Sequence, residues 1–184
     1  MKQNTVILSV VAVLSALMGI YVSKQQVENI GRDIAKQTTP ATPVAQLFAL
    51  QLPDSEGKQQ LFSQWQGKPI VLNFWASWCA PCVKEMPELS KTQLDFAARG
   101  VQVLGIGIDS PQAIQEFKQK HQISYPLLVA GIEGSELSRS LGNKSGGLPF
   151  TVLVGADGKV KKTYLGALAF DQLYLDIQTF FPAK

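Results

Sequence analysis

Pro69-Ile-Val-Leu-Asn-Phe-Trp75, running directly into Ala76-Ser-Trp-Cys79-Ala-Pro-Cys82, is the stretch on which the reading of this chain turns. The first part is an apolar run of strand length without alternation, the pattern of a strand buried on both faces. A helix-like run follows from about Pro81 to Arg99, stopped by Gly100. A C-x-x-C pair beside a βα unit is the cue for a redox-active dithiol. Cys79 and Cys82 are the only cysteines in the chain. As a staple the pair would contribute little, because it closes a loop of about 4 residues. Chain entropy assigns so small a loop roughly 2 kcal/mol, against about 4.7 for a 100-residue loop. A bridge that adds little stability but can open and close points to chemistry; a structural disulfide and half a zinc site are the competing readings.

Moving toward the C-terminus, Val101-Gln-Val-Leu-Gly-Ile-Gly-Ile108 reads as a second buried strand. Asp109-Ser110-Pro111 is a cap-and-proline start for a helix over Gln112–His121. A short strand over Tyr125–Val129 and a short helix over Ser135–Leu141 come next. Phe150–Val154, the turn Ala156-Asp157-Gly158 and Lys159–Tyr164 form a hairpin pattern, and Phe170–Phe181 an amphipathic closing helix. Toward the N-terminus, Leu47, Phe48 and Leu50 lead through Pro53-Asp-Ser-Glu-Gly57 to Gln59–Phe62, a second hairpin pattern. Strands alternating with helices, then a late hairpin, predict an α/β fold with a mixed sheet covered on both faces.

The 184 residues allow one domain of about 140 residues plus appendages. Thr5 to Val22 carries no charge. As a helix it would be about 27 Å long, close to the roughly 30 Å hydrocarbon layer. Ile20-Tyr-Val-Ser-Lys24 places bulky residues where a cleavage site wants small ones, so an uncleaved anchor is expected rather than a cleaved signal. Lys2 lies on one side, and Lys24, Arg32 and Lys36 on the other, diluted by Glu28 and Asp33, which leaves orientation weakly specified. The expected organisation is an anchor over 1–23, a polar and Pro/Thr-rich linker over 24–43, and a domain over 44–184. Residues 1–39 hold four Lys/Arg and two Asp/Glu; the rest hold thirteen and twelve, a net +1. Apart from Lys159, Lys161 and Lys162 there is no basic cluster, so no nucleic-acid partner is expected.

Asn73-Phe-Trp-Ala-Ser-Trp-Cys-Ala-Pro-Cys82, Glu85, Pro87, Gly107-Ile-Asp109 and Gly147-Leu-Pro149 occur in an order that resembles the thioredoxin fold. Within that fold, residues 44–184 are similar to the membrane-anchored TlpA/ResA/CcmG-like disulfide reductases. The resemblance implies an extracytoplasmic enzyme, tethered to the cytoplasmic membrane by a single N-terminal helix in the bilayer, with its domain in the periplasm or outside the cell. It implies disulfide-bearing exported proteins as clients, apocytochrome c or copper-site assembly proteins among them, and a membrane thiol-electron transporter as reductant. No cofactor and no metal are expected.

At the head of a helix, free N–H groups and the dipole favour the Cys79 thiolate, making it the attacking sulfur, with Cys82 one turn in as the resolving thiol. Glu85, three residues past Cys82, lies about 60° around the helix from it, on much the same side. In this branch an acid at that position, buried beside the disulfide, would move the resolving thiol's proton; the plainer reading is a solvated glutamate. In thioredoxin the buried acid sits six residues before the first cysteine, where this chain has Asn73. Trp75 reads as core and Trp78 as a shield for the sulfurs and part of the docking surface. The resemblance makes Leu148-Pro149 a cis peptide facing the cysteines, with the Leu148 backbone pairing with an extended client. An ordinary turn proline is the alternative. Pro87 reads as a structural kink, and His121, the sole histidine, as a helix-end residue. Three rival functions stand beside a reductase: a disulfide oxidase, a thiol peroxidase and a non-enzymatic copper carrier.

Overall fold

The computed structural model describes residues 42–182, together with Met18, Gly19, Tyr21 and residues 23–26, which are helical. The chain divides into two compact units, residues 1–40 and 41–184. The segment read as an anchor, Thr5 to Val22, lies outside the described residues except for Met18, Gly19 and Tyr21. Among the described residues no helix is long and apolar enough to cross a membrane.

The second unit opens with helix α1, Pro43–Ala49. Here the structure corrects the sequence reading, which put Leu47 and Phe48 on a strand. Thr42 caps the helix by accepting the Ala45 N–H at 3.2 Å, Pro43 occupies its first turn, and Val44 and Leu47, three apart, form a buried stripe. The hairpin is confined to β1, Gln51–Pro53, and β2, Gln59–Leu61, which pair antiparallel. Asp54 holds its turn by accepting the Glu56 and Lys58 N–H groups. A single 3-10 turn, Phe62–Trp65, follows.

The main sheet has the order β5-β4-β3-β6-β7. Its strands are β3 (Ile70–Trp75), β4 (Gln102–Gly107), β5 (Leu127–Val129), β6 (Phe150–Val154) and β7 (Val160–Leu165). β3, β4 and β5 are parallel, while β6 runs antiparallel to both β3 and β7. All six residues of β3 are buried, as expected of a central strand covered on both sides. The pleat sends alternate residues to two cores. Val71 and Trp75 pack with Cys82, Met86 and Leu89 of α2 (Ala80–Phe96), with Ile114 and Phe117 of α3 (Pro111–His121), and with Leu173 and Ile177 of α5 (Phe170–Phe180). Ile70, Leu72 and Phe74 pack against Val44, Leu47, Phe62 and Trp65 on the other face. The remaining helix, α4 (Glu133–Ser140), also lies on that face, where Leu137 meets the second core.

β3 and β4 end at the same pole, tied by the Ile108 N–H donating to the Trp75 carbonyl at 2.8 Å. Because Phe74 pairs with Phe150, β6 begins at that pole too. The segments after β3, after β4 and before β6 are therefore gathered at one end of the sheet.

Candidate active site

Between β3 and α2 the chain makes a tight turn, closed by the Cys79 N–H donating to the Ala76 carbonyl at 3.2 Å. Asp109, just past β4, clamps it: one carboxylate oxygen accepts both the N–H of Ser77 (3.0 Å) and its hydroxyl (2.6 Å). The other accepts the Ser110 N–H at 2.8 Å. Burial pushes the Asp109 carboxyl up, but these donors outweigh it and hold it below the usual carboxylate range. Trp78 stands at the tip of the turn with 70 % of its surface exposed. That placement suits a docking residue and leaves it turned to solvent.

Cys79 is the N-cap of α2, its sulfur accepting the Cys82 N–H at 3.3 Å. Cys79 and Cys82 are joined in a disulfide, with Cα atoms 5.3 Å apart. Cys82 is wholly buried and Cys79 is 5 % exposed, so Cys79 is the sulfur nearer to solvent. On reduction it would carry its charge at a helix N-terminus, against an N–H already aimed at it, which favours thiolate over thiol.

Glu85 is on the inner face of α2 and only 4 % exposed, so the solvated reading does not hold. One of its oxygens accepts from the Asn73 side-chain amide at 2.8 Å, the other from the Leu168 N–H at 3.2 Å. Burial raises the carboxyl from its ordinary 4.5 to about 7, against the opposing pull of the Leu168 and Asn73 donors. The same Asn73 amide reaches Thr151 on β6 at 3.0 Å. The carboxyl is thus positioned from β3 and from the segment before α5. Glu85 also lines a cleft of about 390 Å³ with Pro81, Lys84, Leu168 and Phe170, beside the disulfide.

The Leu148-Pro149 peptide is cis. Asn143 holds the loop before it, donating to the Gly147 carbonyl at 2.9 Å and accepting the Gly146 N–H at 3.1 Å. Gly146 has φ 71°, a conformation that favours glycine. Leu148 is half-buried against both cores, and Pro149 is buried with its carbonyl accepting the Gly166 N–H. Cys79, Cys82, Trp78, Leu148 and Pro149 accordingly share one pole, with Glu85 beneath. His121 is the last residue of α3, its ring stacked on Phe117 at 4.2 Å. Trp75 is fully buried against Phe117, 4.7 Å between ring centroids.

Sequence reasoning missed the Ser77–Asp109 clamp, the Leu168 N–H and the Asn143 brace. A polar residue two before the first cysteine and an acid closing the next strand were the available signal for the clamp. The Leu168 contact joins residues 83 apart through a backbone group, which leaves no mark in side-chain patterns.

A disulfide between two cysteines at the head of a helix, on a five-stranded mixed sheet with a cis-proline loop at the same pole, defines a thioredoxin-like thiol–disulfide oxidoreductase. The chain belongs to the AhpC/TSA family, whose model matches residues 44–163. It is similar to thiol-disulfide oxidoreductase ResA of Bacillus cereus, 28% identical over 181 residues and covering 94% of this chain and 95% of that one. ResA of Geobacillus thermodenitrificans is 27% identical over 132 residues, covering 71% and 74%. Among solved structures, a Chlorobium tepidum chain assigned as a thiol:disulfide interchange protein DsbE matches with a TM-score of 0.64 and 27% identity. That match covers 72% of this chain and 92% of that one.

Proposed function

We propose that this oxidoreductase works in the reducing direction, opening disulfides in exported proteins from a tethered position outside the cytoplasm. The observation that carries the reading is the Glu85 carboxyl, buried beneath the disulfide and raised to about 7. In the reduced enzyme the Cys79 thiolate attacks a client disulfide, forming a mixed disulfide and expelling a client thiolate. Glu85, near neutrality, then takes the Cys82 proton as that sulfur attacks Cys79 and displaces the second client thiolate. The products are a dithiol client and the Cys79–Cys82 disulfide, which a membrane thiol-electron transporter returns to the dithiol. Trp78 and the Leu148-Pro149 segment flank the bond and receive the client, the Leu148 backbone pairing with an extended strand.

The uncharged stretch Thr5 to Val22 supports a single-pass anchor over 1–23, the Pro/Thr-rich 24–43 a linker, and 44–184 the catalytic domain. Oxidised apocytochrome c and copper-site assembly proteins are the proposed clients. The thiol-peroxidase reading lacks a cysteine outside the C-x-x-C pair. The copper-carrier reading has, among the described residues, no cluster of three or more His, Cys, Asp or Glu side chains to draw on.

Two measurements test the proposal. Equilibration with glutathione or dithiothreitol is expected to place the couple near thioredoxin's value of about −270 mV; one above about −150 mV would make it an oxidase. Replacing Cys82 with alanine should leave clients covalently attached to Cys79 in membranes, and capture of none in living cells counts against a reductase.

A further inference from the structure

β3 is apolar except at Asn73, and every other side chain on that strand enters one of the two cores. The Asn73 side chain lies on the α2 side of the sheet, in line with Val71 and Trp75, and is wholly buried. Its amide nitrogen donates twice, to a Glu85 oxygen at 2.8 Å and to the Thr151 hydroxyl at 3.0 Å. Its amide oxygen has no hydrogen-bond partner among the described residues. On the β4 side the register partner is Gly105, which has no side chain to offer it. A buried acceptor left so carries a desolvation cost that an aliphatic side chain would avoid. The two N–H bonds are what offsets it.

Those bonds differ in kind. A donor aimed at a carboxylate is charge-assisted and roughly twice as strong as a neutral one, so it favours the ionised carboxyl over the protonated one. Burial pushes Glu85 up, and the Leu168 and Asn73 donors pull it back, to about 7. Leu168 acts through its backbone, whereas Asn73 acts through a side chain that has to be aimed. Thr151 does the aiming. It stands directly opposite Asn73 in the antiparallel β3–β6 ladder, and its oxygen takes the second N–H. The reversed amide would turn its oxygen on the carboxylate, which has no proton to give it.

We propose that Asn73 and Thr151 are positioning residues that keep Glu85 free to ionise: Thr151, from β6, orients the Asn73 amide so that its N–H meets the carboxylate. The inference rests on the reading of Glu85 as acceptor of the Cys82 proton. In the mixed disulfide the Glu85 carboxylate takes that proton, and the Cys82 sulfur attacks Cys79. The Cys79–Cys82 bond forms, the Cys79–client bond breaks, and the client thiolate leaves with the electron pair. Glu85 then loses the proton to solvent at the cleft it lines. Without the amide, burial would keep the carboxyl protonated at neutral pH, with no place for the Cys82 proton. The titratable groups around Glu85 are Cys82 and Lys84 on its own helix and Tyr125 between α3 and β5. Burial and the Glu85 charge push the Tyr125 phenol well above its ordinary value, so it stays neutral. On β3, on β6 and in the segment before α5 the groups in this network are Asn73, Thr151 and the Leu168 N–H, none of which titrates.

The test follows the carboxyl directly, by carbon-13 titration of the glutamate-labelled full chain in detergent, in its disulfide form, where no thiol titrates. Glu85→Gln identifies the signal. Relative to the parent, Asn73→Leu should lower the proton dissociation constant of Glu85 roughly tenfold and Thr151→Val roughly threefold. An unchanged constant in both overturns the proposal, and a change in Asn73→Leu alone overturns the part given to Thr151. Single turnovers with a small aromatic disulfide, from about pH 6 to 9, then read the resolution step by Cys82. Its inflection should move upward in the same order as the carboxyl, whereas a merely structural role would slow the step without moving it. If the carboxyl moves and the inflection does not, or if Glu85→Gln keeps the parent's inflection, the reading of Glu85 as proton acceptor falls. Should Asn73→Leu fail to fold, Thr151→Val, which keeps the side-chain shape, decides alone: a change of roughly threefold supports the proposal and none sinks it.

Discussion

Glu85 sits where its charged form is disfavoured, and that gives stability a definite pH dependence. Its folded value is about 7 and its ordinary one 4.5. Between the two, the folded state keeps a proton that the unfolded chain has released. Stability from this group is therefore complete below the lower value and is lost as pH rises through the upper. Glu85→Gln, which keeps the shape and never ionises, should be more stable than the parent at pH 8 by up to about 3 kcal/mol, and nearly equal to it at pH 4. Urea titrations at the two values check this; an equal gain at both would mean that the carboxyl is not buried as a charge. The position of Glu85 was readable from helix periodicity. Its partner was not, because Asn73 lies on another element and shows in sequence only as a polar residue within an apolar strand.

At the scale of elements, β4 tolerates Gly105 because the sheet is crowded there. A Cβ would meet the Leu127 side chain at 2.6 Å as well as the Trp75 and Tyr125 rings. Gly105→Ala should cost roughly 1–3 kcal/mol by overpacking, measured as a lowered denaturant midpoint. The pairing of α5 with β7 depends on Asp176, which accepts from Lys162, Tyr164 and Gln172. Burial pushes its carboxyl up, but those three donors hold it below the usual range. Asp176→Ala strands a half-buried lysine and phenol, with a loss of about 2–4 kcal/mol expected at pH 7. The loss should shrink as acid protonates the parent, and a pH-independent loss would assign it to packing alone. Most elements were legible because caps and breakers mark them, as Ser110-Pro111 and Gly100 do. Leu47 and Phe48 misled because two adjacent apolar residues fit either period; the Thr42-Pro43 cap was the discriminating signal.

Across the whole molecule, the unit from residue 41 onward carries both cores and every strand described. A chain beginning at residue 42 should fold alone, with a thermal midpoint within about 2–4 °C of the full chain, a shift worth only about 1 kcal/mol. A larger drop would show that the preceding residues contribute to the fold. Its reduced form should lose no more than roughly 2 kcal/mol relative to the disulfide form, since so short a loop constrains the unfolded chain little. A larger loss would make the bridge a structural one.

Local order along the chain was enough to determine the alternation of strands and helices, the placement of Cys79 at a helix start and the spacing of Glu85 behind it. Those features depend on neighbours within a few residues, where periodicity, caps and breakers act. Burial of the Glu85 carboxyl, its bonds to Asn73 and Leu168 and the Ser77–Asp109 clamp were decided only by tertiary packing. Each joins residues 12 or more apart whose meeting depends on strand order, and desolvation belongs to the packed site rather than to any residue in it.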